Sequence, residues 1–212
     1  MQERLTRQER RSQTRERLLD AAAAVFAERG FETATLDAVA AAAGYTKGAV
    51  YSNFASKTEL FIALIERRID VQSAEHARRF EGRDLASVAR ELEAEPSQES
   101  ESERQWLLLA MEFWLHAMRD ERARVLMAEQ YERARLASAE MIARFYHGGQ
   151  EQPFTPREMA IVIEAIGAGL AVQAAVDPQA VDMNLQGRAM ARLFDLPAPA
   201  APTPEGEAPT AD

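Results

Sequence analysis

The sequence predicts an all-α protein with a three-helix head and a larger helical body. Three observations carry this. Apolar residues recur at three- and four-residue spacing, Ser, Thr and Asp stand where helices should begin with Gly where they should end, and no convincing strand run appears. At 212 residues and 23.6 kDa the chain suffices for one large domain or two small ones.

Composition narrows the function classes. Hydrophobic residues make up 47% and charged residues 28%, the balance of an ordinary soluble protein. A formal charge of −9 argues against a surface that binds nucleic acid or anionic membrane all over. The absence of cysteine excludes disulfides, thiolate zinc sites and cysteine nucleophiles. His76, His116 and His147 leave little for histidine-based metal or triad chemistry. The segment Met1 to Arg17 is Arg-rich and lacks the apolar stretch of a secretory leader. A cytoplasmic, non-redox protein is expected. Charge is uneven along the chain: the first 17 residues carry +3, the first 60 carry +1, and the remainder −10. Both lysines, Lys47 and Lys57, lie in the first sixty residues, so that segment is expected to meet a different partner.

The elements follow in order. Residues 1–11 read as a disordered basic arm. The first helix is expected from Ser12 to Arg29, with Leu18, Leu19, Ala22, Val25 and Phe26 on one face and Gly30 as its stop. Thr35 should cap a short helix carrying Leu36, Val39, Ala40 and Ala43, ended by Gly44; Thr46 should cap another, from Lys47 to Phe54. Ser56 and Glu59 form a capping box that opens a long helix to about Glu75. The acidic run Glu95–Glu103 reads as a solvated loop. Helices are then expected from Trp106 to Met118, and from Asp120 to Tyr146 with Gly148 and Gly149 as the stop. Thr155-Pro156 should begin an apolar helix buried in an oligomer interface, and Asp177-Pro178 the last helix, with Val181, Leu185, Ala189 and Leu193. Five prolines among small residues make 196–212 a disordered tail. The domains are thus expected at 12–56 and 57–195.

Thr35 to Lys57 is the informative stretch, because two short helices around a Gly-containing turn make a helix-turn-helix. Its apolar positions can pack on the first helix, leaving Lys47, Gly48, Tyr51 and Ser52 outward. The small surface of Gly48 and Ala49 would let the second helix sit deep in a major groove. Lys47, Lys57, Tyr51 and the hydroxyls of Thr35 and Thr46 can grip phosphates.

The run Thr35-Leu-Asp-Ala-Val-Ala-Ala-Ala-Ala-Gly-Tyr-Thr-Lys-Gly-Ala-Val-Tyr-Ser-Asn-Phe-Ala-Ser-Lys57 resembles the DNA-binding signature of tetracycline-repressor-type (TetR family) transcriptional regulators. Ala-Ala-Ala-Ala-Val-Phe before Gly30-Phe31, and Glu59-Leu60, resemble its flanks; the likeness covers residues 12 to 66. It implies an all-helical homodimer, usually a repressor, whose body binds a small molecule that weakens DNA binding. The family's helix-turn-helix positions fall on Thr35, Tyr45, Thr46, Lys47, Gly48, Tyr51, Asn53 and Lys57, with Ala49 and Ser52 between them. Many relatives have His where this chain has Asn53, whose amide can still donate to a phosphate. The operator and the regulated genes are not legible.

The body offers two further groups. Trp106, Met111, Phe113, Trp114, Met127 and Tyr131 would line a pocket for a hydrophobic or aromatic effector, with Tyr131, Gln130 or His116 as polar anchors. For each residue, simple core packing is the favoured reading of the same spacing, and in the family that the sequence resembles the pocket lies within the core. Ile163, Ile166, Gly167, Leu170, Leu185 and Leu193 are the expected dimer contacts, Gly167 and its small neighbours allowing close helix approach. Glu112, His116 and Asp120 have a spacing that can present a metal, but a lone His among carboxylates reads better as a solvated surface cluster, so no metal is expected. No Gly-rich phosphate loop, zinc motif or nucleophile elbow is present, so neither an enzyme nor a cofactor is expected. The favoured reading is an effector-released, palindrome-binding repressor. The alternative is an architectural DNA-binding protein without an effector, or one controlled by a protein partner.

Overall fold

The computed structural model describes residues 6–83, 101–144, 154–181 and 184–193. These residues form eight helices and no strand: α1 (Arg7–Thr33), α2 (Leu36–Ala43), α3 (Lys47–Tyr51), α4 (Lys57–Phe80), α5 (Glu101–Ala117), α6 (Glu121–Ala143), α7 (Pro156–Val176) and α8 (Asn184–Leu193). The all-α expectation holds. Residues 1–5, the acidic stretch 84–100, the Gly148-Gly149 stop and the tail 196–212 lie outside the described residues.

Local chemistry sets most helix ends. The Thr35 hydroxyl accepts from the Ala38 amide at 3.2 Å, and Gly44, at φ +69°, closes α2 while the Tyr45 amide reaches the Ala40 carbonyl at 2.9 Å. Thr46 caps α3 through the Ala49 amide, and Asp120 caps α6 through the Ala123 amide at 2.7 Å. Ser56 accepts from the Glu59 amide at 3.1 Å, but the Glu59 carboxylate takes the Ala55 amide rather than that of Ser56. The Thr155 hydroxyl accepts from the Glu158 amide, and the Glu158 carboxylate takes the Thr155 amide in return.

Several boundaries differ from expectation. The basic arm is not disordered from Thr6 onward: Thr6 and Glu9 form a capping box that starts α1 at Arg7. Gly30 interrupts α1 where its stop is expected. That residue leaves the helix alone, at φ 73° and ψ 169°, and one further turn follows to Thr33. α4 runs on to Phe80. α5 starts at Glu101, where Glu101 and Glu103 lie in the first turn and complement the positive end of the helix. Asp177-Pro178 opens a single turn, closed by the Ala180 amide on Asp177, and α8 begins only at Asn184.

The chain divides into two compact units, residues 1–78 with 98–165 and residues 79–97 with 166–212. In the first, Leu18, Leu19, Ala22, Val25 and Phe26 of α1 are buried together with Val39, Val50, Phe54, Leu60 and Phe61. Phe31, Phe61 and Phe113 bring α1, α4 and α5 together, with ring centroids 4.4 to 5.2 Å apart. Arg67 pairs with Asp20 and Arg133 with Glu66, at 2.7 and 2.5 Å, tying α4 to α1 and α6. In the second unit, a Cβ on Gly167 would stand 2.8 Å from the Gln186 amide nitrogen, so the end of α7 and α8 approach closely.

Within one chain α7 is only partly buried, and its expected burial in an oligomer interface would need a second copy. Met159, Ala160 and Ala174 are buried, whereas Val172 and Val176 are exposed and most other positions half-buried.

Candidate nucleic-acid interface

α2 and α3 form the expected helix-turn-helix, with Val39, Ala40 and Val50 turned into the core. That packing presents the opposite side of α3 outward. Lys47, Gly48, Tyr51 and Ser52 are exposed and Ala49 half-buried. The nearest atom to a Cβ on Gly48 would be the Thr46 hydroxyl, 3.9 Å away, so the start of α3 is small and open. Thr35 and Thr46 are exposed, but each hydroxyl already accepts a helix amide; only its own hydrogen remains to be donated.

The cations are not equivalent. Lys47 pairs with Asp37 at 2.8 Å, both side chains well exposed, and lies 5.8 Å from the centre of the Tyr51 ring. The bond to Asp37 holds its pKa above the ordinary lysine value. Lys57 instead turns inward. Its ammonium donates to the carbonyls of Phe31 and Glu32 at 2.7 and 2.8 Å and lies over the Phe31 ring. Burial lowers its pKa, opposed by Glu32. Two of its three donors are thereby used, so Lys57 chiefly positions the end of α1, with one donor left for a phosphate. Asn53 is similarly engaged: its amide donates to the Ala49 carbonyl at 2.8 Å, beside the Ser52 hydroxyl, which donates to the same oxygen. Half-buried Tyr45 reaches back to α1, where hydrogen bonding to Thr14 lowers the phenol pKa.

The groove beside α3 contains residues of the basic arm that the sequence reading expects to be disordered. Arg7, Gln8 and Arg11 line it with Ser52 and Asn53, around an open volume of about 660 Å³. Arg7 and Arg11 stand one helical turn apart on the first turns of α1, next to the end of α3. The missed signal was the Thr6–Glu9 capping box, which makes this stretch helical.

Five of the six expected pocket residues meet at one apolar cluster, with Phe113 and Met127 inside it and Trp106, Trp114 and Tyr131 packed against it. Phe113 is fully buried in the aromatic cluster and Met127 is buried. Trp106 stacks parallel to Phe61, with the Arg68 guanidinium 4.7 Å above it. Trp114 and Tyr131 pair at 6.2 Å against that cluster; Arg135 lies over Tyr131 and pairs with Glu164 at 3.1 Å. Burial, reinforced by Glu164, pushes the Tyr131 phenol up. Met111 is half-buried. Of the dimer candidates, Ile163, Ile166, Leu170 and Leu193 are half-buried and Leu185 exposed, while the close neighbour of Gly167 is Gln186 of the same chain. Glu112 and Asp120 are exposed and His116 half-buried, and each of the three has a partner of its own. Glu112 binds the Phe31 amide, His116 faces Glu32, and Asp120 caps α6.

Comparison with known proteins agrees with this architecture. The family model of bacterial regulatory proteins, tetR family, matches residues 18–64, and that of the C-terminal part of BetI-type transcriptional repressors matches residues 95–195. The HTH-type transcriptional activator FasR of Mycolicibacterium smegmatis is 45% identical over 67 residues, 32% of this chain and 29% of that protein. The HTH-type transcriptional regulator AcrR of Shigella flexneri is 38% identical over 92 residues, 42% of each chain. These matches thus span less than half the length of either relative. A solved Rhodococcus regulator described as TetR-family shares the fold with a TM-score of 0.69 at 23% identity, covering 86% of this chain and 99% of that one. A regulator from Saccharomonospora viridis, solved in complex with choline, gives 0.63 at 17% identity, covering 87% and 96%. With its helix-turn-helix and its two family matches, this chain belongs to the tetR family of bacterial regulatory proteins.

Proposed function

We propose that the protein is a dimeric, sequence-specific DNA-binding transcriptional regulator, a cytoplasmic repressor that a small hydrophobic effector releases from a palindromic operator. The observation that carries the reading is the open face of α3: Lys47, Gly48, Tyr51 and Ser52 exposed, with Arg7 and Arg11 beside it. Such a face can enter a major groove while the arginines hold flanking phosphates. Two-fold symmetry would then require a two-fold site. The half-exposed apolar length of α7 supports a dimer through α7 and α8, because a partner copy would cover it. The relatives' names include both an activator and repressors, and the repressor reading follows the BetI-type match.

The test is selection from a random duplex pool by the full chain. A two-fold symmetric consensus is expected, and light scattering should give a dimer at micromolar concentration. Arg7→Ala and Arg11→Ala should each lower the slope of affinity against salt by about one. Failure to enrich any sequence would sink the reading.

A second reading draws on the full burial of Phe113 and the burial of Met127. If the expected pocket is solid core, the protein regulates without a small effector. Screening apolar aromatic compounds by quenching of Trp106 and Trp114 separates the two. A compound that quenches and also releases DNA supports the first reading.

A further inference from the structure

Gly30 breaks α1 for a single residue, and the turn after the break is held from both ends by other helices. At its start, directly after the non-helical Gly30, the Phe31 amide donates to Glu112 Oε2 of α5 at 2.6 Å, a contact spanning 81 residues of sequence. At its end, the Phe31 and Glu32 carbonyls accept from Lys57, the first residue of α4 and six residues beyond α3. The Glu112 carboxylate sits so close to the break that a Cβ on Gly30 would stand 2.7 and 2.9 Å from its two oxygens. One turn along α5, the His116 ring lies 4.8 Å from that of Phe31, with Nδ1 3.5 Å from Glu32.

A carboxylate on the first free amide of a helical turn is an N-cap, here delivered by a different helix. The arrangement is sensitive to position. Drawing the two groups about 1 Å further apart takes this 2.6 Å bond beyond the length at which it counts as one. The turn it releases is the one whose other end anchors Lys57 and, through it, the junction with α3.

We propose that Glu112 is a positioning residue for DNA recognition, a cap in trans by which the placement of α5 sets the orientation of the helix-turn-helix. The proposal rests on the DNA-binding reading above. It makes the Glu112–Phe31 bond the contact that any displacement of α5 must break before the α3 face moves.

The test compares parent, Glu112→Gln and Glu112→Ala on a duplex selected by the parent and on a random duplex of equal length. Orientation matters only to the specific site, whereas non-specific affinity is electrostatic. Glu112→Ala should lose about tenfold on the selected duplex and stay within about twofold on the random one, with Glu112→Gln between them, as expected for a charge-assisted hydrogen bond. Equal losses on both duplexes would mean that Glu112 merely holds the fold, and no loss on either would mean that the bond does not matter; each overturns the proposal. Glu112→Gln carries the comparison if the alanine variant fails to fold. Amide exchange supplies an arm without DNA. In the variants the Phe31 amide should exchange faster, while that of Ala123, capped by Asp120, should not change. If the parent selects no sequence, the DNA-binding reading has failed, and unchanged Phe31 exchange then overturns the cap separately.

Discussion

Lys57 donates to the main-chain carbonyl of Phe31 at 2.7 Å and lies over the ring of the same residue, so the first residue of α4 closes the last turn of α1. A position whose charge suggests a phosphate contact therefore also holds the head together.

Lys57→Met keeps the stem of the side chain and removes the charge. It should lower stability by about 1–2 kcal/mol, the range of a hydrogen bond to a charged group that is partly solvated. A shift in urea midpoint with unchanged slope checks this. If the variant instead loses only DNA affinity, Lys57 acts as a phosphate contact alone.

Lys47 is restrained by Asp37, an exposed pair at 2.8 Å. Asp37→Asn should free the ammonium for a phosphate and remove a like charge from the DNA-facing side, tightening DNA binding by about threefold at low salt. The gain should vanish in Lys47→Ala, which weakens binding in its own right. Fluorescence anisotropy on the double-mutant cycle measures it. Weaker binding by Asp37→Asn would show that the carboxylate helps to place Lys47.

Phe113 is fully buried against Phe31 and Phe61. Phe113→Ala should cost about 3–5 kcal/mol, the usual penalty for emptying an aromatic site in a packed core. Calorimetry or urea unfolding reads this directly. A cost below about 1 kcal/mol would mean that the space around Phe113 is a preformed cavity, and would strengthen the case for an effector there.

The start of α7 should be acid-sensitive. Hydrogen bonds from Thr155 hold the pKa of Glu158 below 4.5, and Arg157 does the same for Glu132. A carboxylate with a depressed folded pKa contributes stability in full above the ordinary value, and that contribution is lost as pH falls through the folded pKa. Amides of the first turn of α7 should lose protection, measured against their intrinsic exchange rates, as pH falls below the ordinary carboxylate range. Glu158→Gln should flatten that dependence. Titration of Glu158 at the ordinary value, followed by NMR, would contradict this.

What could be read from the chain alone was whatever closes within about one helical turn. Thr35, Thr46, Ser56 and Asp120 cap amides three residues on, and Gly44 ends α2, because such contacts depend only on residues adjacent in sequence. The outward face of α3 was legible for the same reason, since helical periodicity assigns sides once the apolar set is known. The same rule applied to Thr6 and Glu9 would have placed Arg7 and Arg11 on α1 beside the recognition helix. Contacts distant in sequence were not legible. Phe31 meets Glu112 across 81 residues and Lys57 across 26, and no local pattern distinguishes these charges from solvated ones. An aromatic stripe on α5 is equally consistent with a pocket or a core, and only the tertiary structure shows that the ring partners of Phe113 are Phe31 of α1 and Phe61 of α4. Helix ends are short-range events, whereas the partner of a buried ring or a charge is chosen by how the helices come together.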